Sequence, residues 1–150
     1  MATEHRFEGR LTWRAGGTGL ATGNHRMEFA GRPPLELASA PQYKGDPSRL
    51  SPEDLFVGAL SSCQMLSYLA LAGRAGVTVL AYDDQAVGTL AITDKKMRMA
   101  EVVLRPRITL AAGADAAKAL ALVHTAHEIC FIANSVACRV HVEPELVTAA

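Results

Sequence analysis

A long helix is predicted by the stretch SPEDLFVGALSSCQMLSYLALAGRAG, residues 51–76. Ser51 suits the N-cap and Pro52 the first helical position, and the two acidic residues that follow complement the positive end of the helix dipole. Apolar residues then recur every three or four positions up to Gly76, which is typical of a helix C-terminus. The helix expected over 52–75 is about 36 Å long. Apolar and small residues occupy a broad part of its surface, which indicates that the helix is buried on several sides.

Alternating polar and apolar residues predict strands on both sides of this helix. The predicted strands cover residues 6–13, 26–30, 35–38, 77–91, 97–111 and 136–142. Turns are predicted at 16–19, which is rich in glycine, and at 93–96, a polar tetrad between the two long strands. Asp115 suits the N-cap of a second helix that reaches about Cys130. This order predicts one α+β domain over residues 1–150, with mostly antiparallel sheets wrapped around a long central helix.

The composition excludes several classes of protein. The 150 residues include 15 lysines and arginines against 15 aspartates and glutamates, and 49% of the residues are hydrophobic. Such apolar content excludes a disordered chain, and a net charge of zero provides no basic field for binding nucleic acid or an anionic membrane. The N-terminus lacks the apolar segment of a secretory signal, and we expect no uncharged apolar run of about 18 residues. A soluble cytoplasmic protein is therefore expected.

The three cysteines, Cys63, Cys130 and Cys138, are too few and odd in number for a disulfide scaffold. Taken alone, Cys63 is more simply a packing residue, since free cysteine is among the most buried residue types, and Cys130 is equally ambiguous. Both nevertheless lie on apolar helices, so the two thiols could meet although they are remote in the sequence. Such a pair, with Cα atoms about 5–6 Å apart, would close a disulfide without backbone strain. A redox pair is therefore physically feasible.

Two motifs of the chain resemble those of a known family. SPEDLFVGALSSC at 51–63 resembles the Pro-Glu-x-Leu…Cys signature of the OsmC/Ohr family of thiol peroxidases, and HEIC at 127–130 with Asn134 resembles its second cysteine motif. The resemblance covers essentially the whole chain, including the order of its elements. It implies an intertwined homodimer with two active sites at the subunit interface, in which Cys63 is the peroxidatic cysteine and Cys130 the resolving cysteine.

The reaction implied by this resemblance is the reduction of an organic hydroperoxide, or of hydrogen peroxide. The Cys63 thiolate cleaves the O–O bond and becomes a sulfenic acid, which requires its pKa to fall from about 8.5 toward or below ambient pH. Cys130 condenses with the sulfenic acid to an intramolecular disulfide, and an external dithiol reduces it by exchange. No metal or organic cofactor is needed. The competing interpretation is a non-catalytic OsmC-like dimer with structural cysteines that binds a small apolar or thiol ligand.

The resemblance also implies an acidic and a basic residue at the site. Glu53 matches the family's acidic position, but ten residues along one helix is about 15 Å, beyond hydrogen-bond reach. Glu53 would therefore act on Cys63 from the other subunit or through a sharply bent helix, or it merely stabilises the helix start. The family places an arginine beside the sulfur, where its charge favours the thiolate. The candidates are Arg14, Arg26, Arg32 and Arg49, of which Arg26 and Arg49 are assigned to substrate binding, with solvated surface as the alternative for each.

An apolar pocket for the substrate is the last feature expected near Cys63. Tyr43, Phe56 and Met65 are its candidate lining residues, and packing in the core is their alternative role.

Cys138 and Cys130 each have a further candidate role. Cys138 shares a face with alternating valines in the last predicted strand and most simply belongs to the core. His124, His127 and Cys130 have a spacing that could present zinc ligands, with Cys138 as a fourth. No metal is expected, because Cys130 already has a role in the redox interpretation.

Overall fold

The computed structural model of the chain describes residues 3–15 and 23–150. The chain divides into two units, Met1–Leu55 and Phe56–Ala150. The glycine-rich turn predicted at 16–19 lies outside the described residues. The single domain expected over 1–150 stays a prediction.

The N-terminal unit contains an antiparallel three-stranded sheet. Its strands are β1 (Arg10–Thr12), β2 (His25–Glu28) and β3 (Leu35–Leu37), in the order β1-β2-β3. The three strands predicted here are confirmed, but β1 is much shorter than the predicted 6–13, because only Arg10–Thr12 is paired with residues of β2. A 3-10 turn at Pro41–Tyr43 follows β3 within the predicted loop.

Helix α1 (Pro52–Arg74) confirms the long helix predicted from residues 51–76. Its start is a reciprocal cap: the backbone N–H of Asp54 donates to Ser51 Oγ at 3.2 Å, and the N–H of Ser51 donates to Asp54 Oδ2 at 2.7 Å. Its end is marked by Gly76, whose φ of 71° is a left-handed conformation that glycine adopts at no steric cost. Local sequence chemistry therefore decides both ends of α1.

One stripe of α1 is buried along its length. Leu60, Gln64, Tyr68 and Ala72 follow one another at intervals of four residues, and none is more than 1% exposed. A spacing of four keeps side chains on one face of a helix. The two polar members of this stripe, Gln64 and Tyr68, lie in the middle of the helix, and Gln64 directly follows Cys63 in the sequence.

Four strands follow α1, where the alternation predicted two. They are β4 (Val79–Asp84), β5 (Val87–Thr93), β6 (Lys96–Leu104) and β7 (Pro106–Leu110). The prediction of two continuous strands was wrong, because each breaks where the chain passes from one sheet to another. At the break, the backbone N–H of Arg105 donates to the Asp84 carboxylate at 2.7 Å. In a continuous strand, this N–H would instead donate to a backbone carbonyl of the neighbouring strand. The hairpin turn predicted at 93–96 is confirmed, with Asp94 and Lys95 at positive φ.

The C-terminal part completes two mixed sheets. Helix α2 (Ala116–Ile129) is capped by Asp115, whose carboxylate accepts the N–H of Lys118 at 2.9 Å, as predicted. The last predicted strand is shorter than expected, β8 (Arg139–Val142), and a further strand, β9 (Glu145–Thr148), was missed. The sheet orders are β4-β7-β9 and β5-β6-β8, in which β8 and β9 run parallel to their neighbours. The remaining pairs are antiparallel, which confirms the predicted α+β class.

Two apolar clusters form the core of the C-terminal unit. The larger one joins α1, α2 and β7, and its buried members include Tyr68, Ile108 and Val123. The smaller one is built on Leu60, Val102 and Leu104, with partly buried side chains around it. Val136, Cys138, Val140 and Val142 pack against this second cluster, so the common face predicted for them is confirmed.

Helix α1 and the helical segment Ala116–Ser135, which begins with α2, are long and apolar enough, by length and composition, to cross a membrane. The expectation that no uncharged run of this length exists was wrong, because residues 55–73 carry no charge. Length and composition are weak grounds for a membrane span, since core helices of soluble proteins share them. Only 22% of each candidate segment is buried, so both helices leave apolar surface uncovered.

Candidate functional site

Cys63 lies on α1 beside the buried stripe and is half-buried. Ser67, one helical turn further along, hydrogen-bonds the sulfur of Cys63 with its hydroxyl. This contact follows from helix geometry, because residues four apart lie on the same face. The sequence reasoning missed Ser67, although its spacing from Cys63 was a usable signal.

Cys130 caps the end of α2 and is only 1% exposed. The chain turns immediately after it, and two side chains fix that turn. Asn134 donates its backbone N–H to the Cys130 carbonyl at 3.0 Å and its side-chain amide to the Glu128 carbonyl at 2.9 Å. The Ser135 hydroxyl donates to the Phe131 carbonyl at 2.7 Å. Asn134, part of the second motif, thus holds the backbone that follows Cys130.

This turn directs three backbone N–H groups toward the two sulfurs. We call the N–H groups of Phe131, Ile132 and Ala133 the amide nest. Those of Phe131 and Ile132 hydrogen-bond Cys63, and those of Ile132 and Ala133 hydrogen-bond Cys130. Successive backbone N–H groups of this kind form anion-binding sites in proteins. No residue pattern predicts the nest, because it consists of backbone atoms.

The two thiols also contact each other. The Cys130 side chain hydrogen-bonds Cys63, which lowers the pKa of Cys63 and raises that of Cys130, so Cys130 acts as the donor. The structure thus brings together two cysteines that are remote in the sequence. All three cysteines of the chain are free thiols.

The pKa values of the two thiols shift in opposite directions. Burial raises the pKa of Cys63, but hydrogen bonds from Ile132, the Cys130 thiol, Phe131 and Ser67 outweigh it, and the net pKa is lowered. Burial raises the pKa of Cys130, and its contact with Cys63 raises it further. The arrangement therefore favours a thiolate at Cys63 beside a protonated thiol at Cys130. A nucleophilic sulfur next to a proton-bearing sulfur is the pair that thiol redox chemistry requires.

Glu53 lies in the first turn of α1, within the N-terminal unit. Its Oε2 atom is buried and has no hydrogen-bond partner among residues 3–15 and 23–150. Helix α1 is continuous over Pro52–Arg74, so Glu53 and Cys63 belong to the same helix. The role of Glu53 at the site stays a prediction.

The predicted arginines are held by carboxylates of the N-terminal unit. Arg49 pairs with Glu36 at 2.7 Å and with Asp46 at 3.3 Å. Arg26 pairs with Glu28 and Glu36, each at 3.6 Å. Glu36 therefore serves both arginines. Their assignment to substrate binding stays a prediction, as does the surface role considered for Arg14 and Arg32.

The three predicted pocket residues lie in different settings. Tyr43 ends the 3-10 turn of the N-terminal unit and is 51% exposed. Phe56 packs against the cluster of Leu60, Val102 and Leu104. Met65 lies half-buried on α1. Their predicted contact with substrate remains untested.

A group of buried polar atoms lies on and around the same helices. Tyr68 and Tyr82 place their ring centroids 5.9 Å apart, and neither hydroxyl has a hydrogen-bond partner within the described part of the chain. Gln64 donates its amide to the Val123 carbonyl at 3.1 Å, which links α1 to α2. The Gln64 hydrogen bond therefore connects the two helices that carry Cys63 and Cys130.

The zinc set considered from the sequence finds no support in the geometry. Among residues 3–15 and 23–150, no group of three or more histidine, cysteine, aspartate or glutamate side chains is placed to hold a metal ion.

Comparison with known proteins agrees with this architecture. An OsmC-like protein of unknown function from Vibrio cholerae superposes with a TM-score of 0.87 at 31% identity, covering 94% of this chain and 99% of that one. An organic hydroperoxide resistance protein from Elizabethkingia anophelis gives 0.75 at 19% identity, covering 99% and 100%. One from Legionella pneumophila gives 0.70 at 20%, covering 97% and 99%. The last two similarities show the fold alone.

The sequence comparisons assign the family. No curated protein matches the chain. The family described as OsmC-like protein matches residues 45–145, about two thirds of the chain, and this range includes all three cysteines. Together with the Vibrio cholerae similarity, this match shows that the chain belongs to the family of OsmC-like proteins.

Proposed function

We propose that this protein is a cytoplasmic thiol peroxidase that reduces organic hydroperoxides through Cys63, with Cys130 as the resolving cysteine. The observation that carries the proposal is the hydrogen-bonded contact between these two thiols, with the pKa of Cys63 lowered and that of Cys130 raised. The family supports the same reading, since structurally similar members are named organic hydroperoxide resistance proteins.

The first step is attack by the Cys63 thiolate on the terminal oxygen of the hydroperoxide. The O–O bond breaks, the sulfur becomes a sulfenic acid, and the alkoxide leaves and takes up a proton as the alcohol. The amide nest and the hydroxyl of Ser67 favour this step by stabilising the thiolate before attack. These donors come from the chain itself and need no cofactor.

The second step closes a disulfide. The Cys130 sulfur attacks the Cys63 sulfenic acid, an S–S bond forms, and the hydroxyl leaves with the Cys130 proton as water. The contact between the two side chains means that little movement is needed. A dithiol reductant then returns both thiols through a mixed disulfide and is itself oxidised to a disulfide.

A homodimer is the proposed working unit. Apolar side chains remain exposed on both helices of the C-terminal unit, and Phe131, next to the paired cysteines, is 81% exposed. Others are Leu66, Leu69, Leu120 and Ile129. Exposed apolar surface of this kind commonly marks an interface. Size-exclusion chromatography with light scattering should give twice the chain mass.

Thiol counting tests the reaction directly. One equivalent of cumene hydroperoxide should consume two of the three thiols per chain, and peptide mapping should find the Cys63–Cys130 disulfide. Cys63→Ser should abolish turnover, and Cys130→Ser should leave a sulfenic acid on Cys63 that a dimedone probe captures. Cys138→Ser is the matched control and should keep full activity. Slow oxidation of all three cysteines at similar rates would instead favour a non-catalytic binding protein.

Mixed dimers test whether Glu53 acts from the other subunit. If it does, a dimer of one Glu53→Ala chain and one Cys63→Ser chain keeps one complete site, because the intact Glu53 serves the intact Cys63. The control dimer carries both substitutions on one chain beside an unaltered chain, and it should be inactive. The opposite pattern would assign Glu53 to its own chain. Equal activity in both dimers would leave Glu53 with only its role at the helix start.

A further inference from the structure

A cavity lies within the C-terminal unit, and neither Cys63 nor Cys130 is among its lining residues. Its volume is about 460 Å³, and Phe56, Met99, Cys138, Arg98 and Arg139 are among its lining residues. Pockets for small molecules in proteins span about 300–1,000 Å³. The cavity therefore has the size of a ligand site.

One side of this cavity is an apolar wall. Phe56, Met99 and Cys138 all pack against the buried cluster of Leu60 and Val102, so the wall is anchored in the core. Burial raises the pKa of Cys138, which therefore stays a thiol at neutral pH. Cys138 thus contributes a weakly polar surface to the wall and is a poor nucleophile.

Two cationic side chains also line the cavity. They are Arg98 and Arg139, and no acidic residue among the described residues 3–15 and 23–150 lines the cavity. Arg98 pairs with Asp94 at 2.5 Å and Arg139 with Glu101 at 3.6 Å, with the two guanidinium side chains 49% and 75% exposed. Exposed ion pairs of this kind contribute little energy, so both guanidiniums can bind another anion.

We propose that this cavity binds a small carboxylate with an apolar body. Its apolar part would lie against Phe56 and Met99, and its carboxylate would bind Arg98 and Arg139. Arginine suits such a ligand, because its planar donor fork matches the two oxygens of a carboxylate. This site is separate from the Cys63–Cys130 reaction, and it requires neither of those cysteines.

Cys138 provides a built-in reporter for the test. In full-length Cys63→Ser/Cys130→Ser, it is the only remaining thiol, and its alkylation by iodoacetamide can be followed by mass spectrometry. Increasing octanoate should slow this alkylation to a saturating limit. Octanol and octylammonium, which lack the carboxylate, should protect far less. Protection that is absent, or equal for the three compounds, would overturn the proposal. Because this variant cannot turn over peroxide, the result is independent of the proposed function.

Arginine substitutions complete the test in the same two-serine background. Arg98→Gln/Arg139→Gln should weaken protection by octanoate by about tenfold or more. The matched control, Arg105→Gln/Arg107→Gln, removes two exposed arginines that pair with glutamates and do not line the cavity. In this control, octanoate should protect Cys138 from alkylation as before. If the double variant misfolds by circular dichroism, Arg139→Gln alone serves, since its side chain is 75% exposed. Equal protection in both pairs of variants would refute the arginine site.

Discussion

Removing the Cys130 thiol should make Cys63 a weaker acid, even though Cys130 carries no charge at neutral pH. Four donors stabilise the Cys63 thiolate: the N–H groups of Ile132 and Phe131, the Cys130 thiol and the Ser67 hydroxyl. Cys130→Ala deletes one of them, whereas Cys130→Ser replaces an S–H donor by an O–H donor. We expect the pKa of Cys63 to rise in the alanine variant and to change less in the serine variant.

The size of this effect follows from the hydrogen bond that is lost. A hydrogen bond to a charged group contributes about 1.5 kcal/mol at the low end of its range. That energy corresponds to about a tenfold fall in the ratio of thiolate to thiol at a fixed pH. The sign is set by the donor: it stabilises only the charged form, so its removal raises the pKa and lowers the thiolate fraction.

The assay uses proteins with a single thiol. Cys130→Ala/Cys138→Ser and Cys130→Ser/Cys138→Ser each retain only Cys63, so the ultraviolet absorbance of the thiolate titrates that residue alone. Iodoacetamide alkylation rates against pH provide a second readout. Superimposable titration curves for the two variants would refute the claim that the Cys130 side chain stabilises the Cys63 thiolate. A lower Cys63 pKa in the alanine variant would refute it as well.

Two further outcomes concern stability, measured by urea unfolding. Burial, with the charges of Asp84, Tyr68 and Cys130, raises the pKa of Tyr82 above its ordinary 10.0. The stabilising effect of the neutral hydroxyl is therefore complete below pH 10 and is lost as pH rises above it. Tyr82→Phe should consequently lose less unfolding free energy above pH 10 than the unaltered protein. Parallel profiles of unfolding free energy against pH would contradict this. Gly88→Ala should destabilise by about 1–3 kcal/mol, because its Cβ would lie 2.5 Å from atoms of Met99 and Val57. The control Gly73→Ala on α1, whose Cβ would meet no atom of the described residues within 4 Å, should be neutral or stabilising. An equal effect of both substitutions would count against this packing.

Predictions that depend on neighbouring residues in the sequence were confirmed. Both helices begin where a cap and its first turn were expected, and α1 ends next to Gly76. Such signals are readable from a sequence because the groups that satisfy a helix terminus lie within a few residues of it. The cysteine motifs were readable for the same reason, and they were sufficient to suggest the family.

Predictions that depend on distant pairing were less accurate. The long strands predicted over 77–91 and 97–111 divide between two sheets, and alternation alone does not say which partner a strand has. Strand β9 was missed because its four residues are too short for a periodic signal, and it exists through parallel pairing with β7. The uncharged run within α1 was also overlooked, since serines and glycines interrupt its apolar residues.

The sequence by itself determined the two helices, the α+β class and the choice of Cys63 and Cys130 as candidate site residues. It could do so because capping, periodicity and motif spacing act over short distances along the chain. Only the tertiary structure decided that the side chains of Cys63 and Cys130 interact, and that hydrogen bonds from the amide nest help to lower the pKa of Cys63. Neither fact has a sequence signature. The contact joins two helices that are separated in the sequence by the four strands β4 to β7. Backbone N–H groups are present in every residue except proline, so only their direction in the folded chain makes them functional.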